Sequence, residues 1–462
     1  MAVLNQLVIE PKSIAYGVLK PGPHDPQGVP LVRIKDLGAG TINTKELHYI
    51  TRELHREFKR TELKGGEVLI SIQGTIGRVA VVPQALAGSN ISRTLAVLRP
   101  REESLGKWLL YALQAPSTVR QIEGAVTGST RDSLNLADLR QIRVPHADEP
   151  ERSRIVAEIE NQFSRLNEAV ANLKRAKVKL KRYKAAVLKA AVEGHLVPNE
   201  AELARRESRR FEAGAQLLQR ILNVRRDQWK GKGRYQEPAP VDEADLPELP
   251  EGWAYATAEQ LTDQNRAITY GVIKLGGPVK GGVPVLRSSD VRSMRIDVSN
   301  VKSISPSIAE NYRRTFLRGG EVVMTVRGTL GGTAVVSPQC SGFNISREVA
   351  MLALVEPAMA HVVATFIASG PVERWLLSRA KGIAYTGINI ETLKALPLPV
   401  PPLKEQERIV AEVERHFSLA GQLQITMDAA LKRALAMRDA ILRGAFTGGL
   451  AAIGRTTLKS PS

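Results

Sequence analysis

The chain alternates between two kinds of hydrophobic pattern. Its first stretch, to about residue 147, carries short β-rich apolar runs at Glu67 to Ile72, Val79 to Val82 and Leu95 to Leu98. Gly65-Gly66, Gly74 and Gly77 punctuate them as turns. A helical piece follows around Trp108 to Leu113. The period then changes. After Pro145 and Pro150, apolar residues recur every three or four positions at Ile155, Ile159, Leu166, Val170, Leu173, Leu180, Tyr183 and Val187. That spacing predicts one amphipathic helix of about 40 residues, about 60 Å long, ending near Gly194. A lone rod of that length is unstable in water, so its stripe requires a partner helix.

A second helix supplies that partner. Pro401-Pro402 precede a stripe of Ile409, Val413, Leu423, Met427, Ala430, Ala434, Met437 and Ile441. Bulky Leu166 and Leu180 correspond to small Ala420 and Ala434, so unlike stripes suit packing within one chain; dimerisation between chains is the rival. Between the two patterns, Ala201 to about Trp229 looks helical and highly charged. The Pro-rich acidic run up to Trp253 reads as an extended linker.

The second pattern repeats the first. Residues 14–37 and 268–291 are identical at 11 of 24 positions, at an offset of 254. The same shift aligns Gly65-Gly66-Glu67-Val68 with Gly319-Gly320-Glu321-Val322, and Asn90-Ile91-Ser92-Arg93 with Asn344-Ile345-Ser346-Arg347. It aligns Arg154-Ile155-Val156 with Arg408-Ile409-Val410, and Gly194 with Gly448. One module is therefore used twice, each copy a mixed α/β head followed by a long helix. The expected boundaries are 1–147 and 251–402 for the heads, and 148–197 and 403–450 for the helices. Residues 198–250 join the copies and 451–462 form a tail.

Charge narrows the partner. Across 462 residues the net charge is +18, which favours a polyanion, nucleic acid before an acidic membrane surface. Cys340 is the only cysteine, which excludes a disulfide framework and a cysteine-based zinc site. No apolar run is long enough to span a membrane, and Met1 to Ser13 lacks the features of a signal peptide, so the expected location is cytoplasmic.

Candidate chemistry is that of binding. The Gly74-Thr75-Ile76-Gly77 and Gly328-Thr329-Leu330-Gly331 segments lack the Lys-Ser/Thr ending of a nucleotide loop and read as tight turns. No HExxH, adenine-methylation motif, cofactor loop or nuclease constellation is present, so no catalytic or metal-ligating residue is proposed. Cationic and aromatic side chains that recur in both copies suit phosphate positioning or a shared scaffold: Tyr16 and Tyr270, Lys20 and Lys274, Arg33 and Arg287, Arg93 and Arg347. Positions that differ suit sequence readout, since arginine pairs with guanine and glutamine with adenine in the major groove. These are Lys35 against Ser289, Gln73 against Arg327, Arg78 against Gly332, and Arg131 against Tyr385. Eight cations and no acid lie between Ala171 and Ala190, including Lys177, Lys181 and Arg182; they offer an acidic partner a surface.

These motifs together resemble the specificity subunits of type I restriction–modification systems. The resemblance rests on Pro401-Pro402-Leu403-Lys404-Glu405-Gln406, with Arg408-Ile409-Val410, and on Ala440 to Gly448 at the end of that helix. Leu246-Pro247-Glu248-Leu249-Pro250-Glu251-Gly252-Trp253 ahead of the second head is also similar; the first head lacks such a lead-in. The resemblance covers nearly the whole chain. It implies two target-recognition domains joined by two long helices packed as an antiparallel coiled coil, with a pseudo-two-fold internal repeat. It implies double-stranded DNA as ligand, read as two half-sites around an unread spacer that the helices cap at about 18 base pairs. It also implies two methyltransferase subunits and restriction subunits as partners, met in part through Glu405, Gln406 and Arg408. The chain itself would be non-catalytic and bind no cofactor; S-adenosylmethionine, ATP and Mg would belong to the partners. The likeness of the two heads further predicts related half-sites and a partly palindromic target. The competing readings are a self-sufficient methyltransferase or nuclease, and an architectural nucleic-acid binder without sequence choice.

Overall fold

A computed structural model describes residues 1–10, 13–127, 132–231, 233–328, 330–379 and 387–447. The chain divides into two compact units. The first holds Met1–Arg175 and the chain from Met427 on; the second holds Ala176–Thr426.

In chain order the first head contains β1 (Ala2–Val3), β2 (Ala15–Tyr16), β3 (Val29–Val32), β4 (His48–Ile50), α1 (Arg52–Glu57), β5 (Val68–Ser71), β6 (Val79–Val81), β7 (Asn90–Ile91), β8 (Leu95–Leu98), α2 (Leu105–Gln114), α3 (Pro116–Gly124), α4 (Leu136–Gln141) and β9 (Arg143–Val144). The long helix α5 (Glu149–Val192) follows, then α6 (Glu200–Arg206) and α7 (Gly214–Asp227). The second head contains β10 (Ala254–Thr257), α8 (Ala258–Leu261), β11 (Thr269–Tyr270), β12 (Val283–Leu286), β13 (Val291–Arg292), β14 (Arg295–Ile296), β15 (Lys302–Ile304), α9 (Pro306–Glu310), β16 (Val322–Thr325), β17 (Thr333–Val335), β18 (Asn344–Ile345), β19 (Val349–Leu352), α10 (Ala360–Ile367), α11 (Gly370–Arg379), α12 (Ile390–Lys394) and β20 (Pro397–Val400). The second long helix, α13 (Leu403–Phe446), closes the described chain.

The offset of 254 survives folding. The four-stranded antiparallel sheet β2-β8-β5-β6 has its counterpart in β11-β19-β16-β17. The three-stranded sheet β4-β3-β7, with β3 and β7 parallel, matches β15-β12-β18. The same side chains cap corresponding helices: Asn135 accepts from the Asp138 N–H at 2.8 Å, and Asn389 from Thr392 at 2.7 Å. The long helices are each 44 residues and start 254 apart.

Alternation along β5 explains the layering. Val68 and Ile70 face α2 and the start of α5, whereas Leu69 faces the three-stranded sheet through Val32 and Ile91. In β16, Val322 and Met324 join α10 and the second-unit helices, and Val323 takes the opposite core. The repeated sequence motifs turn out to stitch this frame. Each Tyr-Gly glycine lies under a carbonyl: a Cβ on Gly17 would sit 1.8 Å from the Ile91 oxygen, and on Gly271 1.7 Å from that of Ile345. Asn90 accepts from the Thr61 hydroxyl at 2.7 Å and donates to the Phe58 carbonyl at 3.1 Å; Asn344 repeats both bonds with Thr315 and Tyr312.

The helix pairing is visible inside each unit. In the first, Val156, Ile159 and Phe163 share a core with Leu442 and Ala445, and the Arg438 guanidinium lies 4.2 Å from the Phe163 ring centre. In the second, Val187, Leu188 and Ala191 share a core with Ile409 and Val413, and Lys184 caps the Phe417 ring at 5.4 Å. Rising numbers on α5 meet falling numbers on α13, so the pairing is antiparallel in both units. A bulky and a small stripe residue fall in each unit: buried Leu180 and Ala420 in the second, half-buried Leu166 and buried Ala434 in the first.

Two expectations change. Leu423 and Met437 are 51% and 53% exposed, not on the buried stripe. The seam instead passes through His416 against Tyr183 and Arg438 over Phe163, whose ring or aliphatic surface packs while a polar end escapes, with half-buried Leu431 between them along α13. The charged segment after α5 is two helices, because Ser208 adopts φ of +53° and ends α6. Gly448 and the tail 451–462 lie outside the described residues.

Candidate nucleic-acid interface

The glycine-rich segments connect β5 to β6 and β16 to β17, and a side chain ties each of them. The Ser71 hydroxyl accepts from the Arg78 N–H at 2.8 Å, and Thr325 from Gly332 at 2.9 Å. These turns carry Gln73 and Arg327 at equivalent places. The segment leading into α4 and α12 pairs the same way in both heads: the Leu134 N–H donates to the Ile72 carbonyl at 2.9 Å, and Ile388 to Val326 at 3.0 Å.

In the second head the candidates converge. Arg327 and Arg347 line two adjoining depressions of about 430 and 410 Å³. Tyr270, Ile273 and Arg314 complete one, Glu348 and Asn389 the other. The Arg327 guanidinium stands 5.9 Å over the Tyr270 ring. The Tyr270 hydroxyl donates to the Ile388 carbonyl, and burial pushes the phenol up in pKa against the opposing pull of Arg327. Glu348 accepts the Ser288 hydroxyl at 2.7 Å. In the first head, Tyr16 is exposed beneath Arg60, 6.0 Å from its ring centre. Arg60 and Arg314 are themselves 254 apart; the repeat was the signal that could have found them. Lys20, Lys274, Arg93 and Arg347 are exposed.

Other candidates belong to the frame. Arg287 places Nε 3.0 Å and Nη2 2.9 Å from the Asp290 carboxylate and also donates to the Asn300 carbonyl. Arg33 lies 3.6 Å from Asp36 in the same turn. Their charges are thus matched internally rather than free for phosphate. The Ser289 hydroxyl donates to Asp290 at 2.9 Å, while Lys35 is exposed. Arg78 is exposed, but its counterpart Gly332 has a steric cause: a Cβ there would meet the Val291 carbonyl at 2.4 Å. Arg131 and Tyr385 lie outside the described residues.

The helix candidates also divide. Lys181 and Arg182 are exposed and Lys177 is half-buried. Glu405 and Gln406 are buried inside the second unit instead of on its surface. The Glu405 carboxylate accepts the Glu200 N–H at 2.8 Å and the Trp253 indole N–H at 3.0 Å; burial raises its pKa nonetheless. Beside it, Glu200 is also fully buried and meets Arg209 and Arg408, the latter at 2.7 Å. Burial opposes ionisation of Glu200, but hydrogen bonds from the two guanidiniums outweigh it and lower the pKa. Glu321 repeats this balance: burial pushes up, while Arg266 at 2.7 Å and the Arg318 N–H pull the carboxyl below its ordinary range.

A depressed carboxyl contributes stability above its unfolded pKa and loses it as pH falls through the folded one. Unfolding midpoints taken from about pH 6 to about pH 3 should therefore fall below the ordinary glutamate value of 4.5. Glu321→Gln should lower stability at neutral pH and flatten that acid slope; an unchanged slope would count against the Arg266 pair as its source.

A family model, the type I restriction modification DNA specificity domain, matches residues 24–178 and again 278–426, two ranges that begin 254 apart. The chain belongs to this family. Among type I specificity proteins, it is 22% identical over 429 residues to the type I restriction enzyme EcoBI specificity subunit of Escherichia coli, covering 92% of this chain and 81% of that one. It is 21% identical over 434 residues to the EcoKI specificity subunit of Escherichia coli K12, covering 92% and 83%. A solved chain from work on complex assembly and conformational transition of the type I R-M system shares its fold, with a TM-score of 0.63, 17% identity and 97% of each chain covered. Among the described residues no helix is long and apolar enough to cross a membrane.

Proposed function

We propose that this chain is the sequence-specific DNA-recognition subunit of a type I restriction–modification complex. Each head reads one half-site of a bipartite double-stranded target. The observation that carries this reading is the aromatic–guanidinium cluster of the second head, Tyr270, Arg314, Arg327 and Arg347, with Tyr16, Arg60 and Arg93 standing at the positions of Tyr270, Arg314 and Arg347 in the other family-matched head and Arg60 again over the tyrosine ring. Phosphate contacts position a protein and base contacts specify its site, and such clusters offer both.

The chemistry would reside in partners: two methyltransferase subunits carrying S-adenosylmethionine, and restriction subunits using ATP and Mg. The chain would contribute binding and placement. Exposed Lys181 and Arg182 on α5, with exposed Leu419, Leu423 and Ile425 on the same unit's stretch of α13, suit a subunit-docking surface of mixed cationic and apolar character. Resemblance between the heads supports half-sites that are related in sequence.

The test is genome-wide mapping of N6-methyladenine in cells expressing a methyltransferase subunit of the same system, with and without this chain. A bipartite motif is expected only when the chain is present. Methylation without any motif, or unaltered by the chain, would reject sequence-specific recognition.

A further inference from the structure

Of the four candidate readout pairs that differ between the heads, the geometry described above leaves one. Gly332 cannot bear a side chain against the Val291 carbonyl, so its contrast with Arg78 is steric. The Ser289 hydroxyl is committed to Asp290, so its contrast with Lys35 is not a choice between two free donors. Arg131 and Tyr385 lie outside the described residues. Gln73 and Arg327 remain. Each follows a buried residue just past the strand end, Ile72 or Val326, and precedes the turn glycine. Each also forms an isolated antiparallel bridge at the matching place, Gln73 to Ser133 and Arg327 to Gly387, again 254 apart. Arg327 is exposed and, among the described residues, makes no ion pair; its guanidinium is held over the Tyr270 ring beside Arg347. A planar fork supported on an aromatic face loses little freedom on pairing bidentately with a base edge.

We propose that residues 73 and 327 are one base-reading position, occupied once in each head. The half-sites then differ there, with adenine met by Gln73 and guanine by Arg327. Arginine donates both hydrogen bonds to guanine O6 and N7. Glutamine accepts from adenine N6 and donates to N7. Tyr16/Tyr270 and Arg93/Arg347, which recur in both heads, would hold the DNA backbone in the same register, so the two half-sites should agree more closely elsewhere.

This inference rests on the heads being base-reading domains, and the experiment separates the two. The full chain is expressed with its methyltransferase as wild type, Arg327→Gln and Gln73→Arg, and N6-methyladenine motifs are compared. If the wild type yields no bipartite motif, the recognition reading itself fails and this inference with it. Given a wild-type motif, Arg327→Gln should change one guanine of one half-site to adenine. The preference should shift by about ten- to a hundredfold, with the spacer and other half-site unchanged. Gln73→Arg should make the reciprocal change in the other half-site. Conversion by either variant supports the proposal even if the other is inactive. An unchanged motif with weaker methylation in Arg327→Gln, or loss of methylation there together with an unchanged motif in Gln73→Arg, overturns it.

Discussion

Trp108→Ala is expected to destabilise the first unit by about 3–5 kcal/mol, the range for removing a fully buried indole. The side chain is 1% exposed and does three jobs at once. Its ring fills the space between the four-stranded sheet and α5. It meets Phe446, near the end of α13, edge-on at 5.1 Å. Its Nε1 donates to the Pro145 carbonyl at 2.9 Å, pinning the chain just before α5 begins. Alanine leaves a cavity and an unpaired buried carbonyl, and both costs add. For a unit of this size the melting temperature should drop by about 10 °C. Trp108→Phe separates the contributions, keeping most of the buried ring and losing only the hydrogen bond, for about 1 kcal/mol. Thermal unfolding followed by tryptophan-independent far-ultraviolet dichroism would check both; an alanine variant melting within about 2 °C of wild type would show that the unit does not depend on this ring. The second head achieves its docking differently. Val362 stands at the matching position, and Trp253, from the other side of the repeat, stacks near Phe366 and donates to Glu405.

That difference shows what a repeat in sequence conveys and what it conceals. The offset of 254 announced the duplicated sheets, since β-runs bounded by glycines fold the same way twice. The long helices were legible because their period is a consequence of geometry, and Leu166 and Leu180 against Ala420 and Ala434 already suggested complementary faces. The seam itself was only half legible. Apolar periodicity points to Leu423 and Met437, because His416 and Arg438 fill seam positions with ring and aliphatic surface that hydrophobicity scales do not credit. Charged residues misled for the opposite reason. Glu405, Arg33 and Arg287 look available in a sequence, yet Glu405 is buried with its own donors and each arginine faces an aspartate three residues on. A charge pattern cannot say whether its counter-charge is in the same turn or in a partner. The clustering of Tyr270, Arg314, Arg327 and Arg347 depends on which strands are neighbours in β11-β19-β16-β17, a non-local fact. Arg60 and Arg314 recur at the offset but lie outside the most similar segments of the repeat, where nothing in the sequence sets them apart.

The other large effect should follow from Arg327→Ala combined with Arg347→Ala. Both side chains are exposed, so the double variant should fold with a melting temperature close to wild type. The loss should be in DNA binding. Each arginine is a cation on the edge of the same depression, and a good base or phosphate contact is worth about 1–3 kcal/mol. Together they should weaken specific binding by the reconstituted complex by about a hundredfold or more, at fixed salt. Arg287→Ala is the informative contrast. Its guanidinium is spent on Asp290 and the Asn300 carbonyl, so removing it should lower stability and leave sequence preference intact. Binding titrations against a specific and a scrambled duplex, run beside thermal melts, would separate the two behaviours. If Arg287→Ala loses discrimination at unchanged stability, the frame assignment is wrong. If the double variant binds its target as wild type does, the depression in the second head is not where that head meets DNA. The pairing of outcomes matters because an arginine whose charge is already matched within its own turn and an arginine whose charge is left open have the same letter in the sequence, and only the open one can convert a phosphate or a base edge into affinity.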